Sequence, residues 1–172
     1  MSTKFPGHTE KVMALARKVS AALKHALGEQ LIAVALFGSA ARGTDRPGSD
    51  LDILVILQNP PKSYAKRTKS FLPLLAEVRE SREYRDLEAC GRPLEPAFLA
   101  LSEEEARAHP LIFLDMVEEA VILYDPREQF RKELEVVRER LRALGSRKKS
   151  LPDGSWYWVL KPDLRPGEII EL

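Results

Sequence analysis

Asp50 and Asp52 enclose a single leucine in the run Ser49-Asp50-Leu51-Asp52, and an acid–apolar–acid triplet has a definite geometry if it lies on a strand. Strand side chains alternate faces, so both carboxylates point one way while Leu51 and Ile53 point into the opposite layer. Two like charges held so close repel unless a cation neutralises them. An all-oxygen site of this kind suits magnesium or manganese more than zinc. Magnesium keeps several waters and takes the rest of its shell from substrate phosphates, so the pair makes best sense beside a nucleoside triphosphate. An aspartate pair at a strand start can also be a plain turn or cap; the residues before it decide the matter.

Those residues are Phe37-Gly38-Ser39-Ala40-Ala41-Arg42-Gly43, followed by a polar loop to Ser49. Gly38 allows the backbone to approach a phosphate closely. The turn's N–H groups, a following helical start and the Ser39 hydroxyl could cradle terminal phosphates, with Arg42 adding charge. Asp45 and Arg46 read as loop surface.

Positioning these groups requires two buried strands, and the sequence offers them as short, nearly all-apolar runs at Leu31–Phe37 and Leu51–Leu57. Val12, Leu15, Val19, Leu23 and Leu27 recur at helical spacing and end at Gly28, giving a helix to cover the sheet. A helix over about 70–88 follows, then a third strand at Leu94–Leu101. Ser102 and Glu105 form a capping box for a short helix that His109 and Pro110 interrupt. A fourth strand is expected at Ala120–Tyr124. Asp125, Pro126 and Glu128 supply an N-cap, an N1 proline and a capping-box acid for a helix carrying Phe130, Leu134, Val137, Leu141 and Leu144, stopped by Gly145. Asp153-Gly154 marks a turn in a terminal hairpin with Trp156 and Trp158 on one side.

The stretch GSAARGTDRPGSDLDILV resembles the GS-X-X-RG and SD-X-D signature of minimal nucleotidyltransferases in the DNA polymerase beta superfamily. The match covers Gly38, Ser39, Arg42, Gly43, Ser49, Asp50 and Asp52 at their proper spacing, and several identities at fixed offsets are far more specific than a lone glycine motif. The resemblance implies an α/β (α+β) fold, a small mixed sheet flanked by helices. This assigns 1–125 to the nucleotidyltransferase domain and 126–172 to a C-terminal helix, hairpin and tail packed on it. It further implies transfer of a nucleoside monophosphate from a triphosphate, ATP being the expected donor, to a hydroxyl on a small molecule, RNA or protein. In that scheme two magnesium or manganese ions neutralise the departing pyrophosphate. Gly38, Ser39, Arg42 and Ser49 bind phosphate or nucleotide; Asp50 and Asp52 hold metal. Catalytic members carry a third carboxylate on a later strand, which binds one metal and helps take the proton from the attacking hydroxyl; Glu95 is the candidate here, completing a catalytic and metal-binding set with Asp50 and Asp52, although it is glutamate rather than the commoner aspartate and precedes Pro96.

Two other functions stay open. Minimal nucleotidyltransferases are often paired with HEPN-type toxins, so the chain could be an antitoxin-like module that binds through the 130–144 stripe and the tail. It could also be a catalytically idle nucleotide-binding domain, if Glu95 does not face the aspartate pair. Lys+Arg 27 against Asp+Glu 26 leaves a formal charge of +1, which argues against tight binding to long nucleic acid. The Lys62–Lys69 cluster reads as solvated, the hairpin tryptophans as closing a small core, Cys90 as structural, and His8, His25 and His109 as scattered. Without a leader-like start or an apolar run of about 18 residues, a soluble cytoplasmic protein that does not contact membranes is expected.

Overall fold

In the computed structural model, residues 7–152, 155–165 and 167–170 are described. The sheet is four strands in the order β3-β2-β1-β4, with β1 at Leu31–Leu36, β2 at Asp50–Leu57, β3 at Glu95–Ser102 and β4 at Val121–Tyr124. β1 runs antiparallel to both β2 and β4, whereas β2 and β3 are parallel. The sheet is therefore mixed and flanked by helices, as expected.

The β2 pleat sorts its side chains into two cores. Leu51, Ile53, Val55 and Leu57 face α1 (His8–Leu27), α4 (Leu72–Arg79) and α5 (Arg82–Glu88). Leu54 and Ile56 face the opposite layer, made by α6 (Glu103–Arg107), α7 (Phe113–Glu119) and α8 (Gln129–Ala143). Leu15 and Leu23, one helical face of α1, are fully buried and contribute about 2 kcal/mol each.

The expected helix over 70–88 is broken into α4 and α5, preceded by a short α3 at Tyr64–Lys69. Ser81 makes the second break: its hydroxyl donates to the Val78 carbonyl at 2.6 Å and accepts from Tyr84 N–H, capping α5. The basic segment is not wholly solvated either. Arg67 is buried, donating to the carbonyls of Pro61 and Ala100 and pairing with Glu105. With the Tyr64 hydroxyl donating to Phe98 O, α3 thus covers carbonyls of β3, an outer strand of the sheet.

The Ser102–Glu105 capping box forms as read. The start of α8 is shifted: Glu128 takes φ 54° and α8 begins at Gln129, yet the Asp125 carboxylate still accepts the N–H groups of Gln129 and Arg131, both at 2.9 Å. Phe130, Leu134, Val137 and Leu141 are buried against the sheet, so the stripe considered for partner binding is core.

A hairpin follows, with β5 at Arg147–Ser150 paired antiparallel to β6 at Trp156–Val159. The Asp153-Gly154 pair lies outside the described residues. Trp158 packs against the α7–α8 core. Cys90 is exposed, with Lys11 Nζ 2.8 Å from its sulfur, so it has no place in the core. His109 is buried, 2.8 Å from Glu133 on α8. No described helix is long and apolar enough to cross a membrane.

Candidate active site

Asp50 and Asp52 stand at the start of β2, on the face that farther along carries Leu54 and Ile56. Asp50 is exposed and Asp52 half-buried. Burial raises the pKa of Asp52 above its ordinary value; the adjacent Asp50 charge raises it further, and Arg42 opposes both. The repulsion expected from the spacing is therefore present, and it bears on the more enclosed acid.

Above this pair lies α2, a five-residue helix at Gly38–Arg42. The loop is tied to the strand by Phe37 N–H donating to Asp52 O at 3.0 Å. Gly38 has φ +71°, and a Cβ there would overlap the Asp52 carboxylate, lying 3.0 Å from Cγ and closer still to Oδ2. Backbone and carboxylate share space that any side chain would fill. Gly38→Ala should cost about 1–2 kcal/mol from the left-handed backbone alone and turn the Asp52 carboxylate aside. Urea denaturation and magnesium titration of the variant should show both losses; an unchanged magnesium affinity would mean that the close approach is incidental.

The far end of the loop is pinned by a residue read as surface. Asp45 is buried: its Oδ2 lies 2.6 Å from His8 Nε2, and its carbonyl accepts from Arg92 at 2.6 Å. Arg46 and Ser49 close their own turn, with Ser49 N–H donating to Arg46 O and Arg46 N–H donating to Ser49 Oγ, both at 2.9 Å. The Ser49 hydroxyl is thus engaged in shaping the approach to Asp50. The Ser39 carbonyl accepts Thr44 N–H at 2.9 Å.

Arg42 reaches away from the loop. Its guanidinium donates to Glu119 at 2.7 Å and lies 4.5 Å over the Trp156 ring, although its charge still acts on Asp52. Glu95 lies directly across from Asp50 in the parallel β2–β3 register, so its backbone lies on the later strand on which the resemblance expects a third acid. Its carboxylate instead accepts from Arg79 at 2.9 and 3.1 Å and from the Tyr84 hydroxyl. Burial works to raise the Glu95 pKa, but these hydrogen bonds and the Arg79 charge outweigh it and hold it below the ordinary carboxylate value. The same contact pushes Tyr84 up to about 12. Among the described residues no three His, Cys, Asp or Glu side chains gather as a metal cluster. The donor set that fits a hard divalent cation is the Asp50–Asp52 pair. Sequence reading missed Arg79, Tyr84, Asp115 and Glu119; nothing in their spacing marks them.

The profile of the nucleotidyltransferase domain family matches residues 16–148. The chain belongs to this family. The match agrees with the polymerase-beta-like motif and reaches from α1 to the start of the hairpin. A Methanocaldococcus jannaschii protein named as a protein adenylyltransferase is 44% identical over 54 residues, a stretch that spans 31% of this chain and 37% of that protein. Among solved structures, a Sulfolobus solfataricus protein described as a nucleotidyltransferase is 16% identical, with 74% of this chain and 96% of that one covered and a TM-score of 0.43. The MntA–HpeT toxin–antitoxin complex gives 16% identity, 74% and 90% coverage and a TM-score of 0.48.

Proposed function

We propose that this nucleotidyltransferase domain moves a nucleoside monophosphate from a triphosphate, with ATP as donor, to a hydroxyl acceptor, and that the reaction depends on magnesium or manganese. The observation that carries the reading is the close approach of Gly38 to Asp52: the backbone that would meet a phosphate adjoins the carboxylate that would hold the metal. Asp50 and Asp52 would hold the cation, which supplies charge neutralisation for the phosphates when bound. Gly38 and the Ser39 hydroxyl orient the β- and γ-phosphates, and Ser49 shapes the loop at Asp50. The acceptor oxygen attacks the α-phosphorus in line; an O–P bond forms, the bond to the bridging α–β oxygen breaks, and pyrophosphate leaves. The acceptor's proton passes to Glu95 once its carboxylate leaves Arg79 and Tyr84.

A protein hydroxyl is the acceptor class we favour, because the M. jannaschii relative is named for protein adenylylation. With the α8 stripe buried in its own core, a HEPN-type partner would have to be met elsewhere on the chain. Incubation with α-labelled ATP, magnesium and cell extract should label a protein band, and Asp52→Asn should remove that label. Label that is independent of magnesium and of Asp52 would sink the reading.

A further inference from the structure

Beside the motif is a cleft of about 200 Å³ lined by Phe37, Gly38, Arg42, Ile112, Asp115, Glu119 and Trp156. Trp156 comes from β6, beyond the segment that the family profile covers. The cleft begins at Gly38, whose backbone touches Asp52, so a ligand anchored there by its phosphates has its remaining portion within reach. At this size it admits a single heterocycle rather than a whole drug-sized ligand.

Its wall is chemically uneven. Phe37 and Trp156 offer aromatic surface, the indole of Trp156 also carrying Arg42 at 4.5 Å and Lys148 Nζ at 4.6 Å, while Glu119 is neutralised by those same two cations, both at 2.7 Å. Asp115 makes no ion pair among the described residues. Among the described residues its Oδ1 accepts the indole N–H groups of Trp156 and Trp158, at 2.9 and 3.3 Å, which places a carboxylate acceptor beside the aromatic surface of the cleft. A flat ring with an exocyclic amino group satisfies both features: it packs against the aromatic side chains of the cleft and donates to a carboxylate.

We infer that the C-terminal hairpin completes the nucleotide site, with the cleft between Trp156, Phe37 and Asp115 receiving the amino-bearing nucleobase of the triphosphate. This rests on the proposed function, since the phosphates set where the base lies.

The chain's only two tryptophans are in this hairpin, so Trp158→Phe leaves Trp156 as a single fluorescent reporter. With magnesium present, ATP should quench Trp156, while inorganic tripolyphosphate should bind in a calorimeter without quenching. Trp156→Ala should weaken ATP binding about tenfold and leave tripolyphosphate within twofold, and Trp156→Phe should keep most of the ATP affinity. Purine riboside triphosphate, which lacks the amino group, should bind several-fold more weakly than ATP.

If tripolyphosphate binds while ATP neither quenches Trp156 nor binds more tightly, the base site is refuted and the phosphate site stands. Absence of magnesium-dependent binding by either compound overturns the proposed function and this inference with it. If Trp156→Ala loses tripolyphosphate as well, the hairpin is needed for folding, and the quenching result on the Trp158→Phe protein decides. Equal affinity for the analogue without the amino group overturns the role given to Asp115.

Discussion

Asp52→Asn is expected to lower magnesium-dependent transfer by about three orders of magnitude and, in metal-free buffer at pH 7, to make the protein slightly more stable. Both effects have one cause. Asp52 is half-buried beside Asp50, and burial first, then that like charge, raises its pKa above 3.8. A carboxyl whose folded pKa lies above its unfolded value contributes fully to stability below the unfolded pKa, and the contribution is lost as pH rises through the folded pKa. At neutral pH wild-type Asp52 is therefore ionised at a cost. Asparagine has nearly the same shape and carries no charge. The gain is small, because Asp52 is only half-buried and solvent screens its charge, and it should vanish by about pH 3, where both proteins carry an uncharged side chain at this position.

Magnesium should reverse the order, because the wild type gains binding free energy that the variant cannot. Thermal melts with and without magnesium, at neutral and acid pH, check this. If the variant keeps transfer within tenfold of wild type, or is less stable without metal, the assigned role of Asp52 is wrong.

The parts of the site legible in the sequence were those governed by neighbours along the chain. Strand alternation places Asp50 and Asp52 on one face, the Gly38 turn opens α2, and the Ser102–Glu105 box starts α6. The α1 and α8 stripes report burial correctly because each has a single face to cover. What escaped is set by contacts across the chain. Asp45 reads as loop surface from its polar neighbours, yet it is enclosed by His8 and Arg92, 37 and 47 residues away. Arg67 lies among lysines, but it is Arg67 that meets Glu105 and the Ala100 carbonyl of β3. The break in the 70–88 helix is a local exception: Ser81 accepts the Tyr84 N–H three residues on and caps α5, a start signal that the apolar positions Phe71, Leu74, Leu75 and Val78 do not carry. The partners of Arg42 are the clearest case: Glu119 and Trp156 are 77 and 114 residues downstream, and no local pattern couples them.

Glu95→Gln is expected to reduce turnover about a hundredfold, the lower range for removal of a general base, while ATP binding stays within twofold. The strand register sets Glu95 opposite Asp50, and the proposed base role requires its side chain to turn from Arg79 and Tyr84 toward the pair. In the resting arrangement Arg79 and Tyr84 hold it. Tyr84, with its pKa pushed up to about 12, stays a hydrogen-bond donor throughout the working range. These donors keep Glu95 ionised to lower pH than an ordinary glutamate, so a base role predicts activity that falls on the acid side. Tyr84→Phe removes one stabilising donor, raises the Glu95 pKa and moves the acid limb of the rate profile to higher pH; a limb moved to lower pH contradicts the role. Arg79→Ala should move it the same way. A purely structural role for Tyr84 would lower activity at every pH without displacing the limb, and a Glu95→Gln enzyme within threefold of wild type would leave the chemistry to Asp50 and Asp52 alone. Separating these outcomes requires single-turnover rates across pH, because the group tested must limit the chemical step rather than product release.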